Sequence, residues 1–125
     1  MADSPSVEAR VVGRGVVARI SGNMDCMTGP GLWEQINEVL AGGTAFVVLD
    51  LSDVSFCDSA GLNVLVRASR RAGLSEVALA LACVPQPVLR ILEMTGADQV
   101  LQVCDTVAEA EAAFGDRGDA AGSLA

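Results

Sequence analysis

Apolar positions along the chain follow two spacings, one typical of strands and one typical of helices. Valine-rich runs at residues 7–13 and 16–22 alternate in part with polar residues, as half-buried β-strands do. A Gly-Arg-Gly sequence at residues 13–15 joins them, and glycine gives the backbone the freedom that a tight hairpin needs. A nearly continuous apolar run at residues 44–52 is typical of a central parallel strand that is buried on both faces.

Other segments repeat their apolar residues every three or four positions, as one face of a helix does. In the first of them Leu32, Ile36 and Leu40 keep this spacing, Pro30 suits the first turn, and Thr28 is a candidate N-cap. The predicted helices are residues 27–43, 62–73, 85–96 and 106–114, and the remaining predicted strands are residues 76–82 and 100–105. The order β-β-α-β-α-β-α-β-α predicts an α/β fold with a mostly parallel central sheet, an N-terminal hairpin and about four helices.

The chain of 125 residues is predicted to form one domain, residues 1–115, followed by a disordered tail, residues 116–125. The central strands and the inner face of the second predicted helix give the predicted core: Val47, Val48, Leu49, Leu62, Leu65, Val66, Val77, Leu79 and Leu81. The opposite face of that helix carries Arg67, Arg70 and Arg71, which we interpret as solvated side chains near a helix C-terminus.

Composition narrows the possible partners and locations. The formal net charge is -8, from 16 acidic and 8 basic residues, and an acidic chain without a basic stretch repels the nucleic acid backbone. Hydrophobic residues make up 51% of the chain and the mean hydropathy is +0.44, but the longest apolar run, residues 77–84, is too short to cross a bilayer. With no leader pattern at its start, the chain is predicted to be cytoplasmic, without direct contact with nucleic acid or membrane.

The polar chemistry available to the chain is limited. Cysteine occurs at Cys26, Cys57, Cys83 and Cys104 without a C-x-x-C pair, and the chain contains neither histidine nor lysine. The usual zinc-binding spacings and the Ser-His-Asp and Ser-Lys arrangements of nucleophilic catalysis are therefore absent. We interpret the cysteines as small buried hydrophobic side chains in a reducing compartment. The chain is predicted to bind no metal, to need no cofactor and not to be an enzyme.

The sequence "DSAG", residues 58–61, interrupts the apolar pattern between the central strand and the second helix. Asp58 or Ser59 would cap the helix by accepting hydrogen bonds from free N–H groups of its first turn, with Gly61 packed closely. A nucleophilic role for Ser59 lacks a base to activate it. Alternatively, Ser59 would accept a phosphate, whose charge a helix N-terminus tolerates and which would change what the surface binds. The capping and phosphorylation interpretations both remain open on chemistry alone.

Three segments together carry a resemblance to a known family. The segment "VVLDLSDVSFCDSAGLNVLV", residues 47–66, resembles the signature segment of the STAS family, and specifically of its anti-sigma factor antagonists. Residues 20–36 are similar to the family's second strand, following loop and first helix, and residues 81–114 to its last two helices and last strand. The resemblance covers the chain except for its two ends.

The resemblance implies a regulatory cycle called partner switching. The unphosphorylated protein would bind an anti-sigma factor that is also a serine kinase, and so free a sigma factor. That kinase would phosphorylate Ser59 and end the binding, and a serine phosphatase would reset the cycle. The implied partner-binding residues are Asp25, Asp58, Ser59, Ala60, Gly61, Leu62 and Asn63. Beside Asp25, the residues Met24, Cys26 and Met27 either form part of that surface or tuck under the sheet.

Two positions depart from the family pattern. Asn23 stands where relatives often have glutamate, and Asn63 stands where they often have glycine. Neither change affects the acceptor serine, but both bear on which anti-sigma factor is recognised. Two rival interpretations remain: a STAS module of another regulatory or transport assembly, and a carrier protein of the acyl-carrier type, which would be all-helical.

Overall fold

The computed structural model describes residues 6–114 and contains five strands and four α-helices there. The elements are β1 (Ser6–Val12), β2 (Gly15–Met24), α1 (Gly29–Leu40), β3 (Phe46–Cys57), α2 (Ser59–Leu74), β4 (Ala78–Ala82), α3 (Gln86–Thr95), a 3-10 turn (Ala97–Gln99), β5 (Gln102–Cys104) and α4 (residues 107–114). The predicted α/β fold and its element order are confirmed. The predicted tail, residues 116–125, lies outside the described residues.

The strands form one sheet in the order β1-β2-β3-β4-β5. β1 and β2 are antiparallel and joined by the predicted hairpin, in which Gly13 has a φ of +58°, while the other neighbouring strands are parallel. Each parallel strand lies beside the strand that precedes it in the chain. Because such crossovers are right-handed, the connecting helices α1, α2 and α3 fall on one face of the sheet.

Each face of the sheet has its own apolar core. On one face the buried residues of α1, α2 and α3 pack against Ile20, Leu49 and Leu81. On the other face α4 packs against Val48, and the rings of Phe114 and Phe46 lie 5.5 Å apart between centroids. The central strand β3 is therefore covered on both sides, which explains its nearly continuous apolar sequence.

The boundary between β3 and α2 differs from the prediction. β3 continues to Cys57, so the predicted loop shrinks to Asp58, and Ser55 lies within the strand rather than in a turn. The polar residues of this stretch occupy its exposed positions, whereas Val54 and Cys57 remain buried. The stretch predicted as a loop after residue 52 is therefore a half-buried continuation of β3.

The predicted core is right for most of its residues and wrong for part of α2. Six predicted residues are buried: Val47, Val48, Leu49, Leu65, Val77 and Leu81. Leu62, Val66 and Leu79 are only half-buried. The face of α2 that meets the sheet consists of Gly61, Val64, Leu65, Ala68 and Ala72, so the helix is rotated relative to the predicted face.

The five-stranded sheet contradicts the carrier-protein interpretation, because that class is all-helical. Across residues 6–114, none of the helices has the length and apolar character needed to cross a membrane.

Candidate functional site

Asp58 caps the N-terminus of α2. Its backbone is extended (φ −108°, ψ −167°), and its Oδ1 accepts hydrogen bonds from the N–H groups of Ala60 and Gly61 at 2.8 and 3.1 Å. These N–H groups have no partner inside the helix, and the carboxylate lies at the positive end of the helix dipole. Of the two candidate caps that the sequence left open, the structure therefore selects Asp58.

Ser59, in contrast, presents its side chain to solvent. The residue is exposed, as predicted, and its hydroxyl makes no hydrogen bond within the part of the chain that the structure describes. Only Asp58 separates α2 from β3, so the backbone of Ser59 is held between two packed elements. A hydroxyl in this position is accessible to another protein, and the backbone that carries it is held in place.

Close backbone contact fixes the start of α2 against the end of β2. The N–H of Asp58 donates a hydrogen bond to the carbonyl oxygen of Met24 at 3.1 Å. Gly61 lies so near Met24 that a Cβ added to Gly61 would collide with the same carbonyl oxygen. Glycine at this position therefore permits the close packing that sets the height and direction of the helix.

The loop between β2 and α1 is organised by Asp25. Its Oδ1 accepts hydrogen bonds from the N–H groups of Met27 at 2.9 Å and Thr28 at 3.1 Å, which closes a turn. The Thr28 hydroxyl donates to the carbonyl oxygen of Asn23 at 2.8 Å and accepts from the N–H of Asp25 at 2.9 Å. Thr28 occupies the N-cap position of α1, as predicted, but its side chain makes no hydrogen bond to the helix and stabilises the loop instead.

The apolar residues near Asp25 divide between the core and the surface. Met24 is fully buried, whereas Cys26 is exposed and Met27 is 85% exposed. On the neighbouring strand, Phe56 is 52% exposed. Met24 thus tucks under the sheet, whereas the exposed Cys26 and Met27 are available to a partner. Met27 and Phe56 add apolar surface at the end of the strands where Ser59 lies.

A groove of about 460 Å³ runs between the first turns of α1 and α2, beside Ser59. It is lined by Cys26, Gly29, Pro30, Trp33, Glu34, Ala60, Asn63, Val64 and Arg67. The guanidinium carbon of Arg67 lies 4.2 Å from the centroid of the Trp33 ring, which is a cation–π contact. Sequence analysis did not identify Trp33. The available signal was a single tryptophan next to Leu32, a residue of the inner helix face.

The arginines of α2 are less freely solvated than predicted. Arg67 stacks on Trp33, and the Nε of Arg71 donates a hydrogen bond to Oδ1 of Asn37 at 3.1 Å. Arg70 is exposed and makes no salt bridge in the described range. Arg67 and Arg70 are exposed, as predicted, but Arg67 also contacts Trp33, and Arg71 is half-buried, because α1 and α2 lie side by side.

The predicted partner-binding residues differ in exposure. Ser59 and Asn63 are exposed, Asp25, Asp58, Ala60 and Leu62 are half-buried, and Gly61 is buried. Gly61 therefore positions the helix and offers little surface to a partner. Among the residues that the structure covers, acidic and cysteine side chains form no cluster that could hold a metal ion.

Cys57, at the end of β3, is a structural thiol. Burial, and after it the negative charge of Asp58, raises the pKa of Cys57 to about 11. Its Sγ lies 3.5 Å from the carbonyl oxygen of Asp58, to which it donates a weak hydrogen bond. Since the thiolate is the reactive form, Cys57 stays protonated and unreactive at neutral pH.

Comparisons with known proteins find similar sequences and similar folds. The family model of the STAS domain matches residues 6–110. The anti-sigma-F factor antagonist RsfB of Mycobacterium tuberculosis is 32% identical over 94 residues, which cover 75% of this chain and 76% of RsfB. The crystal structure of an anti-sigma factor antagonist from Mycobacterium paratuberculosis superposes with a TM-score of 0.81 at 28% identity, covering 90% of this chain and 96% of that one.

The anti-sigma factor antagonist SpoIIAA has the same fold. Its unphosphorylated form has a TM-score of 0.69 at 20% identity and covers 90% of this chain and 97% of SpoIIAA. The phosphorylated Bacillus form has a TM-score of 0.66 at 18% identity and covers 89% of this chain and 99% of that one.

Proposed function

The chain belongs to the STAS domain family, and we propose that it is an anti-sigma factor antagonist whose binding is switched off by phosphorylation of Ser59. The first half of the proposal is supported by relatives of that name at 32% and 28% identity. The observation that carries the second half is the exposed, unbonded hydroxyl of Ser59 next to the capping carboxylate of Asp58. In this role the protein is a regulated binding partner and not an enzyme.

In the proposed cycle the unmodified protein binds an anti-sigma factor, which then releases its sigma factor. The contact surface combines the start of α2, at Ser59 and Asn63, with the loop around Asp25. The adjoining groove would accept an apolar side chain of the partner against Trp33. Arg67 of α2 lines the same groove and would pair with a partner carboxylate.

The proposed switch is a phosphoryl transfer from ATP by the anti-sigma factor acting as a serine kinase. Oγ of Ser59 attacks the γ-phosphorus, the bond from that phosphorus to the β,γ-bridging oxygen breaks, and ADP leaves. In this scheme the hydroxyl proton passes to a base of the kinase, while Oδ1 of Asp58 keeps its hydrogen bonds to the helix start. A serine phosphatase would hydrolyse the ester and restore the hydroxyl.

The phosphate would act on the binding surface rather than on the fold. It adds a charge of about -1.5 to -2 at a helix N-terminus, where the dipole tolerates it. Asp58 already accepts the hydrogen bonds of Ala60 and Gly61, so the phosphate on Ser59 would be directed toward solvent and partner. It would repel a partner surface that is acidic or closely packed.

The test begins with affinity capture of the anti-sigma factor by the unmodified protein. Labelled phosphate is then transferred from ATP by the captured partner, and the site is mapped. Ser59→Ala should abolish labelling and keep binding, and Ser59→Glu should weaken binding. Ser55→Ala is the matched control, because Ser55 is another exposed serine nearby and its variant should be labelled like the parent.

Two results would count against the proposal. Undiminished labelling of Ser59→Ala would overturn the assignment of the acceptor. Capture of transport or sensory proteins without any anti-sigma factor would favour the alternative, a STAS module of another regulatory or transport assembly. Because the proposed partner regulates transcription, the proposal also places the protein in the cytoplasm.

A further inference from the structure

Strand β1 has an outer edge that pairs with no strand of the described residues. Within residues 6–114 it pairs with β2 on one side and with no strand on the other. The outer N–H and C=O groups of such an edge strand are open to pairing with another strand. Most of β1 is exposed to solvent, and Val11 is 80% exposed, so an apolar residue adjoins the open edge.

The sequence of β1, "SVEARVV", is self-complementary about Ala9 when two copies run antiparallel. Glu8 of one copy then stands opposite Arg10 of the other, and Arg10 stands opposite the second Glu8. On the other face of the strand Val7 stands opposite Val11. Opposite charges and paired valines are both stabilising cross-strand neighbours. From this pattern we infer that β1 is a homodimerisation edge, along which two copies of this chain pair antiparallel into one continuous sheet.

The charges also disfavour the two registers next to this one. A two-fold axis perpendicular to the sheet places residues of the same face opposite each other. Alternative registers therefore differ by a slide of two residues between the two strands. Centring the axis on Arg10 would place two arginines opposite each other, and centring it on Glu8 would do the same with two glutamates. Like charges directly opposite are destabilising. The register centred on Ala9 avoids both.

The side chains that this register uses are available in the monomer. The nearest acidic partner of Arg10 is Glu111, at 3.8 Å between Nη1 and Oε1, and the Arg10 side chain remains 62% exposed. An exposed ion pair of this kind contributes little to stability and competes weakly with a new partner. Glu8 makes no salt bridge in the described part of the chain.

The inferred dimer leaves the candidate functional site free. In β1 and β2 the pair Ser6 and Ser21 lies toward the end of the sheet that carries the Ser59 loop. Antiparallel pairing turns the second copy by half a rotation, so the two Ser59 residues lie at opposite ends of the joined sheet. Each copy can then bind its own partner.

Sedimentation equilibrium of the full chain tests the inference. The parent should show a concentration-dependent monomer–dimer equilibrium. Glu8→Arg and Arg10→Glu each place like charges opposite at two symmetric positions, so the dimer dissociation constant of either variant should rise by about tenfold or more. Arg14→Glu is the matched control for Arg10→Glu, since it makes the same charge change at the exposed hairpin turn outside β1. The Arg14→Glu variant should dimerise like the parent.

Mixing the two variants provides the decisive measurement. Glu8→Arg has two arginines on the edge and Arg10→Glu has two glutamates, so the mixture should form heterodimers although neither variant pairs well with itself. Circular dichroism checks that both variants are folded. A parent that stays monomeric at about 1 mM would overturn the inference. So would folded variants that dimerise like the parent, or that form no heterodimer when mixed.

Discussion

Asp58 and Ser59 are neighbours in sequence, but their side chains point into different surroundings. The carboxylate of Asp58 is bonded to N–H groups of the first turn of α2, and the hydroxyl of Ser59 faces solvent. If Ser59 were itself the cap, phosphorylation would remove a bond that holds the helix. Because the cap belongs to Asp58, Ser59 can be modified while the helix start stays intact.

Replacing Asp58 with alanine should lower the free energy of unfolding by about 1 kcal/mol, because the N–H groups of Ala60 and Gly61 lose their acceptor. Asp58→Asn keeps an acceptor oxygen and removes only the charge, so it should lower that free energy by much less. Urea denaturation measures both variants. Equal destabilisation by alanine and asparagine would contradict the capping role.

The thiols of Cys26 and Cys57 should differ in reactivity. Cys26 is exposed, whereas Cys57 is 4% exposed and its pKa is raised to about 11. A raised pKa keeps the thiol protonated up to a higher pH, so at about pH 8 roughly 0.1% of Cys57 is thiolate. Iodoacetamide should therefore modify Cys26 in the folded protein and Cys57 only after unfolding, as read by mass spectrometry. Fast modification of folded Cys57 would mean that the start of α2 opens readily.

At the scale of elements, the sequence predicts best where large apolar residues mark the buried face. Strand β3 is such a case, and its first six residues are all buried. In α2 the buried face relies partly on Gly61, Ala68 and Ala72, whose small side chains give little hydrophobic signal. Leu62 and Val66 are larger, so they drew the predicted face toward a side of the helix that is only half-buried.

Substitutions on α2 can verify this corrected face. Leu65 is fully buried, so Leu65→Ala should lower the free energy of unfolding by about 2–5 kcal/mol through lost burial and a cavity. Leu62 is half-buried, and Leu62→Ala should have a clearly smaller effect because part of that side chain already contacts water. The two variants make the same chemical change in one helix, and chemical denaturation compares them. An effect at Leu62 as large as that at Leu65 would restore the prediction that both residues face the core.

The overall fold is more predictable from the sequence than the complete candidate site is. Alternating strands and helices determine the layers, and Asp58 and Ser59 are adjacent, so local sequence was enough to find them. The groove depends on Trp33 of α1 meeting Arg67 of α2. These residues are far apart in the chain, and their contact arises only from the way the two helices pack on the sheet, which no local pattern records.

Phosphorylation of Ser59 should weaken binding to the partner and leave the stability of the fold nearly unchanged. The new charge lies at a helix N-terminus whose cap is intact, so the free energy of unfolding should change by less than about 1 kcal/mol. Binding to the anti-sigma factor should weaken by at least about a hundredfold, because the same charge would stand inside the contact surface. Thermal denaturation and calorimetric titration of the phosphorylated protein measure the two quantities.

Two controls make this last prediction specific. Phosphatase treatment should restore binding, and Ser55→Glu, which adds a negative charge on the exposed side of β3, should bind like the parent. If the phosphorylated protein lost binding together with several kcal/mol of stability, the switch would operate by disrupting α2. If it lost neither, Ser59 would lie outside the contact surface. Only loss of binding with an unchanged fold fits the proposal that Asp58 caps the helix and that the phosphate on Ser59 blocks the contact surface.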